Sequence, residues 1–326
     1  MLRWTVLISV GLLAGCGSAT VPGDDPQVPG VQSGGSDVET PTGDAQEPSG
    51  DPTAIDTATE GTVDLSQALG VVIVDGMTRE YRYEVPAQLP DGPMPVLVMV
   101  HGGDGRNYPF PQESQFKSLV DTEGFILLQP LSELVYPNEG EWQLNTRDET
   151  RHDIAFMKAM LAQIAAAFDV DQTRVYATGY SIGSMFTYEL ACQMSDRFAA
   201  IASYAGTMPV SPASCDVSDG IAMMHIHGEL DGIIAYNNAW DWKEWDSVGT
   251  MQAIPDLVDY WGDKNRCQSV EETSSGSSSH IVHSDCDAEV RVEHYRLSRV
   301  GHEWPDAIDG RSTHQVIWDF VSGFSK

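Results

Sequence analysis

Positive charge is what this 326-residue chain has least of: 18 Lys and Arg stand against 48 Asp and Glu, a formal net charge of -30. Nucleic acid and anionic membrane surfaces repel so acidic a chain, and neither is expected as a partner. The acidic residues are scattered rather than grouped, which reads as a solvated surface. Metal-ligand spacing is also lacking. His225 and His227 alternate as strand residues do, no carboxylates cluster at ligand spacing, and no metal is expected. Beyond the first residues no apolar run reaches the ~20 residues of a membrane helix. Cysteine is scarce, with five in the chain.

Those first residues are distinctive. Met1-Leu2-Arg3 is a short basic start, Trp4 to Leu13 is apolar but too short to span a bilayer, and Leu13-Ala14-Gly15-Cys16 follows. The segment resembles a bacterial lipoprotein signal, which implies cleavage before Cys16, lipid on Cys16, and an extracytoplasmic protein whose membrane contact is the lipid anchor alone. Residues 1–15 are therefore set apart as a signal. Residues 16–61 are Gly, Pro, Ser, Thr and Asp with almost no large apolar side chain, so they cannot bury enough surface to offset their ordering entropy and read as a flexible acidic tether. The ~265 residues from 62 to 326 suit one large domain, expected to act as a monomer. In an oxidising compartment the four cysteines left after Cys16 are disulfide candidates. Three pairings are possible; Cys192 with Cys215 and Cys267 with Cys286 closes two short loops and suits the local pattern.

Periodicity predicts strands and helices in alternation. Val71–Val74 and Arg79–Val85 read as an opening hairpin, and Pro95–Val100 as a central strand apolar on both faces. A helix over Gln112–Glu123, a strand over Phe125–Gln129, a loop over Pro130–Arg151 and a helix over Asp153–Phe168 follow. Strands are expected at Arg174–Thr178, Ala199–Tyr204, Ile221–Ile226 and Val290–Leu297, and helices at Ser184–Met194, Pro255–Trp261 and His314–Phe324. The polar run Glu271–His280 reads as a loop. This order predicts an α/β fold with a mostly parallel central sheet covered by helices on both faces.

Between the strand ending at Thr178 and the helix starting at Ser184 lies Gly179-Tyr180-Ser181-Ile182-Gly183, which reads as a nucleophile elbow. A serine hydroxyl is a weak nucleophile until it is exposed, set beside a base and faced by oxyanion donors; a sharp strand-to-helix turn supplies the exposure. The donors are expected from the Ile182 N–H and from His101-Gly102-Gly103, a glycine turn directly after the central strand. In an α/β-hydrolase the base and acid follow the serine in the order acid, then histidine, each after a later strand. Asp231 and His302 occupy those places, with Glu229 and Asp306 as rival acids and His101, His280, His283 and His314 as less well-placed histidines. Trp142, on a loop, is a candidate to stack on substrate, as are Tyr180 and Trp304 beside the candidate machinery.

His101-Gly102-Gly103, the elbow with Met185 and Leu190-Ala191-Cys192, the run Ser195 to Ala200, His227-Gly228 with Asp231, and Gly301-His302 with Trp304-Pro305 together resemble the secreted polyhydroxybutyrate depolymerase and feruloyl esterase family. The resemblance runs from about Val71 to the C-terminus. It implies an α/β-hydrolase fold, Ser181 as nucleophile with Asp231 and His302, and hydrolysis of small or oligomeric esters without a cofactor. Ile182 after the serine and Asp104 after the glycine turn depart from the family pattern; neither removes a backbone donor, and both bear on substrate choice. A serine peptidase or thioesterase on the same fold, and a non-catalytic surface lipoprotein, remain alternatives.

Overall fold

In the computed structural model the described residues are 61–326 apart from 66–67, 104–109, 111–112, 137–138, 146–151, 218 and 242–247. The signal, Cys16, nearly all of the tether and Asp104 lie outside them. Eleven strands form one sheet. They are β1 (Gly61–Asp64), β2 (Leu69–Val74), β3 (Met77–Glu84), β4 (Met94–Val100), β5 (Ile126–Pro130), β6 (Val170–Tyr180), β7 (Ala200–Tyr204), β8 (Ala222–Gly228), β9 (Ser269–Ser275), β10 (Ser278–Ser284) and β11 (Val292–Leu297). Their spatial order is β1-β2-β3-β5-β4-β6-β7-β8-β11-β10-β9. The centre, from β5 to β11, is parallel. Antiparallel strands extend it at both ends.

The sheet is parallel where its strands are buried on both faces. All seven residues of β4 are buried. Its Val96, Val98 and Val100 join one core with the helices α2 (Asp153–Ala167), α3 (Ile182–Gln193) and α4 (Ile254–Lys264). Leu97 and Met99 join a second core with α1 (Glu113–Glu123) and α5 (Thr313–Val321). Alternating side chains of one strand thus feed two layers of helices, the arrangement that shields a parallel sheet from water. This is the α/β-hydrolase architecture expected from the sequence.

Two stretches differ from the sequence reading. The polar run Glu271–His280 lies in the β9-β10 hairpin, which turns at Gly276 with φ 59°. Because β9 is an exposed edge strand it has no buried face, so its sequence carries no alternation to read. The stretch Pro130–Arg151 holds a small antiparallel hairpin, Glu133–Tyr136 with Glu139–Glu141, rather than loop alone. Disulfides join Cys192 to Cys215 and Cys267 to Cys286, the neighbour pairing. No described helix is long and apolar enough to cross a membrane.

Candidate active site

At the carboxyl end of β6 the chain reverses through Ser181 and enters α3 at Ile182. Ser181 has φ 56° and ψ -125°, a backbone state that a residue with a Cβ holds only when its surroundings enforce it. The enforcement is contact on every side. A Cβ on Gly179 would lie 2.3 Å from the Gly183 carbonyl oxygen, and one on Gly183 would lie 2.2 Å from that of His101 and 2.3 Å from that of Val100. The elbow therefore nests its helix start directly on the end of β4, and only hydrogen fits at those two positions. The Ser181 N–H donates to Tyr204 O at 3.0 Å, which ties the turn to β7.

His302 and Asp231 come to this serine from the loops after β11 and β8. The Ser181 hydroxyl donates to His302 Nε2 at 2.9 Å, and His302 Nδ1 donates to Asp231 Oδ2 at 2.7 Å. Asp231 Oδ1 accepts the N–H groups of Ile233 and Ile234, each at 2.8 Å. Burial alone would raise the Asp231 pKa; hydrogen bonds from His227, His302, Ile234 and Ile233 outweigh it and hold the carboxyl well below the usual carboxylate range. A fixed anion behind the imidazole selects the tautomer that presents Nε2 to the serine and stabilises the imidazolium that follows proton uptake.

The rival residues are engaged elsewhere. Glu229 faces Arg296 at 3.6 Å. His302 Nδ1 bonds to Asp231 and not to Asp306, whose backbone carbonyl receives the Thr313 N–H. His280 pairs with Glu293 at 2.8 Å, His283 lies on β10 at 3.9 Å from Asp259, and His314 packs its ring edge against Phe116.

The glycine turn after β4 abuts the elbow. A Cβ on Gly102 would come within 3.1 Å of Tyr180 O and 3.3 Å of Ser181 Cβ, so the bare backbone reaches the serine closely. His101 is buried beneath this turn. Its Nδ1 donates to Gly102 O at 2.7 Å, and its Nε2 accepts the Ser132 N–H at 3.1 Å. In a trans peptide C=O and N–H point in opposite directions, so the ring that holds the Gly102 carbonyl also sets where the Gly103 N–H points. Ile182, as the first residue of α3, has an N–H with no intrahelical partner, at the positive end of the helix dipole.

Two of the three aromatic candidates for substrate contact, Trp142 and Trp304, need correction. Trp142 is fully buried, stacked on Phe186 with centroids 4.9 Å apart, and its indole N–H donates to His101 O at 2.8 Å. It buttresses the glycine turn from behind and has no face left for substrate. Trp304 is also buried, packed among Phe110, Tyr204 and Tyr180. Half-buried Tyr180 lies at the site, yet its phenol donates to the His302 carbonyl. Tyr204 does the same for Glu303 O, a partner that the sequence reading missed. These two phenols on adjacent strands clamp the backbone of the histidine loop. The wholly buried run Ala200–Tyr204 gives no hint of this, because the acceptors are main-chain atoms ~100 residues away.

Among the described residues no group of three or more His, Cys, Asp or Glu side chains is arranged to hold a metal ion. Residues 80–218 match the family model described as esterase PHB depolymerase; the segment contains Gly102, Gly103 and Ser181 and ends before Asp231 and His302. The bifunctional acetylxylan esterase/xylanase XynS20E of Neocallimastix patriciarum is 25% identical over 254 residues, covering 76% of this chain and 33% of that protein. The putative esterase NocK of Nocardia uniformis subsp. tsuyamanensis is 32% identical over 166 residues, 49% of this chain and 47% of its own. The matches thus span about a third to a half of those relatives' lengths. An acetyl xylan esterase from Aspergillus awamori shares the fold at a TM-score of 0.55 and 16% identity, covering 81% of this chain and 98% of that one. Residues 80–218 thus resemble the esterase PHB depolymerase family, on a fold shared with an acetyl xylan esterase of known structure.

Proposed function

We propose that the protein is a carboxylic ester hydrolase in which Ser181 is the nucleophile, His302 the base and Asp231 the residue that orients it. The observation that carries this reading is the unbroken series Ser181 Oγ, His302, Asp231, at 2.9 and 2.7 Å, beginning on a serine held in a strained turn. His302 Nε2 takes the serine proton as Oγ attacks the ester carbonyl. The oxyanion is received by the Ile182 N–H and the N–H groups of the Gly102-Gly103 turn. The tetrahedral adduct collapses as His302 returns the proton to the leaving alcohol. Water, deprotonated by His302, then cleaves the acyl-enzyme and restores Ser181.

XynS20E and the Aspergillus awamori enzyme both carry acetylxylan esterase in their names, so acetyl esters of a polysaccharide head the candidate substrates, before feruloyl esters and hydroxybutyrate oligomers. Two disulfides and the lipoprotein-like leader favour an extracytoplasmic site of action. The test is a panel of p-nitrophenyl acyl esters, acetylated xylan, methyl ferulate and hydroxybutyrate oligomers, with Ser181→Ala alongside. Wild type is expected to hydrolyse esters and to take one fluorophosphonate label; Ser181→Ala is expected to lose on the order of a millionfold in kcat and to take none. Equal hydrolysis by the variant refutes the proposal.

A further inference from the structure

Behind Asp231, away from His302, the core holds polar side chains that the ester-hydrolysis steps do not use. His225 and His227 lie on β8 and His294 on β11; all three are buried, as are Tyr188 of α3 and Tyr236. His225 and His227 are two residues apart on one strand, so their rings share a face and meet. Tyr188 Oη lies 2.6 Å from His225 Nδ1, His225 Nε2 lies 3.0 Å from His227 Nδ1, and His227 Nε2 lies 3.2 Å from Asp231 Oδ2 and 3.0 Å from Ile234 O.

The protons in this chain are determined by its ends. Ile234 O and the Asp231 carboxylate can only accept, so His227 Nε2 carries hydrogen and shares it between them. With that one hydrogen on its ring, His227 accepts at Nδ1, which requires His225 to donate from Nε2 and to accept at Nδ1 from the Tyr188 hydroxyl. Every donor points toward Asp231, and every imidazole is satisfied while neutral. A branch runs the same way: the Tyr236 hydroxyl donates to His294 Nε2 at 2.8 Å, and His294 Nδ1 donates to His225 O at 3.0 Å. Burial, with the neighbouring histidines adding to it, keeps His225 neutral far below the usual histidine range.

We infer that His227 is a positioning residue for the proposed ester hydrolysis: held as the Nε2–H tautomer by Tyr188 and His225, it fixes the Asp231 carboxylate that in turn orients His302. The inference rests on the Ser181, His302 and Asp231 reading above. Asp231 Oδ2 thus has two imidazole donors, one on the catalytic side and one rooted in the core. No proton has to travel along the chain. Its function is to deny His227 the opposite tautomer, which would place a lone pair against the carboxylate and push it off His302.

Protein labelled with 15N-histidine reads the tautomer directly by NMR. His227 is expected with hydrogen on Nε2 and a bare Nδ1; hydrogen on Nδ1 overturns the inference. Tyr188→Phe, remote from the serine, is expected to let both tautomers of His225 and His227 appear and to lower kcat with little change in KM; a single unchanged tautomer in that variant overturns it. His227→Phe is expected to lower kcat about 10- to 100-fold, the worth of one hydrogen bond to a charged group, and His227→Gln, whose amide N–H reaches the same place, to recover most of the loss. Equal losses in the two also overturn it. Should His227→Phe not fold, the wild-type and Tyr188→Phe tautomers still decide. Ser181→Ala keeps the failures apart: activity surviving there refutes the proposed function, whereas the tautomers are read without any turnover.

Discussion

Gly183→Ala is the sharpest perturbation of the elbow. The added methyl would sit 2.2 Å from His101 O and 2.3 Å from Val100 O, where real Cβ contacts essentially never fall under 3.0 Å. Something must therefore yield by about 0.8 Å at the least, and backbone carbonyls offer no rotamer by which to escape. β4 is paired on both sides by parallel strands, so the movement falls on α3 and on Ser181 at its start. The same two carbonyls lead into the Gly102-Gly103 turn, so the displacement widens the gap between the serine and the proposed oxyanion donors. A misplacement of ~1 Å at reacting atoms costs about 100-fold in rate, and overpacking of this kind costs about 1–3 kcal/mol of stability. The expected outcome is a folded protein with a lowered Tm, kcat down about 100-fold on a p-nitrophenyl ester, and slowed fluorophosphonate labelling. Gly232→Ala is the control: a Cβ there meets nothing within 4 Å, and kcat should hardly change. A Gly183→Ala protein with wild-type Tm and kcat within about threefold of wild type, less than 0.7 kcal/mol, refutes the steric reasoning.

Tyr180→Phe removes the phenol that holds the His302 carbonyl while keeping the ring stacked on Tyr204. It is expected to lower kcat about tenfold with KM nearly unchanged, the loss of one hydrogen bond that locates the proposed base; an unchanged kcat refutes the clamp. Acid sensitivity follows from the buried imidazoles. Burial lowers His294 from 6.5 to about 3, and lowers His225 well below its ordinary value. In the folded state they stay neutral where the unfolded chain takes up protons, so stability is fully present above about pH 6.5 and falls as pH drops toward 3, by up to ~1.4 kcal/mol per pH unit for each histidine. Below about pH 4 Asp231 and Glu293, both held low, add losses of the same sign. Tm measured by calorimetry from about pH 7 to about pH 4 should fall steadily; a level Tm refutes the burial argument.

Legibility from the sequence tracks how local the cause is. Strands β4 to β8 are readable because burial on both faces demands unbroken apolar runs, and the elbow because its steric demands fall on glycines two residues from the serine. The β9-β10 hairpin is not, since an exposed edge strand of Ser, Thr and Glu satisfies its backbone by ladder bonds that leave no trace in side-chain pattern. Trp142 misleads for the opposite reason. It follows a polar stretch that reads as loop, yet Asp153, held by buried Arg79, accepts the N–H of Gln143, and Glu189 that of Asn145. Those anchors pin the segment down and drive the indole into the core behind His101.

Sequence by itself determined the alternation of strands and helices in the centre of the sheet, the sharp turn at Ser181 and the glycines that permit it. Each of these depends on residues within one element or on neighbours along the chain. Only the tertiary structure decided which histidine and which acid meet the serine, 121 residues from Ser181 to His302 and 71 from there to Asp231. The same holds for the tyrosines that clamp the histidine loop and for the imidazoles stacked behind Asp231. Hydrogen bonds of 2.6 to 3.2 Å between a strand side chain and one on a neighbouring helix or loop depend on how strand and helix pack, and a one-residue slip in a strand's register would turn its side chains to the opposite face.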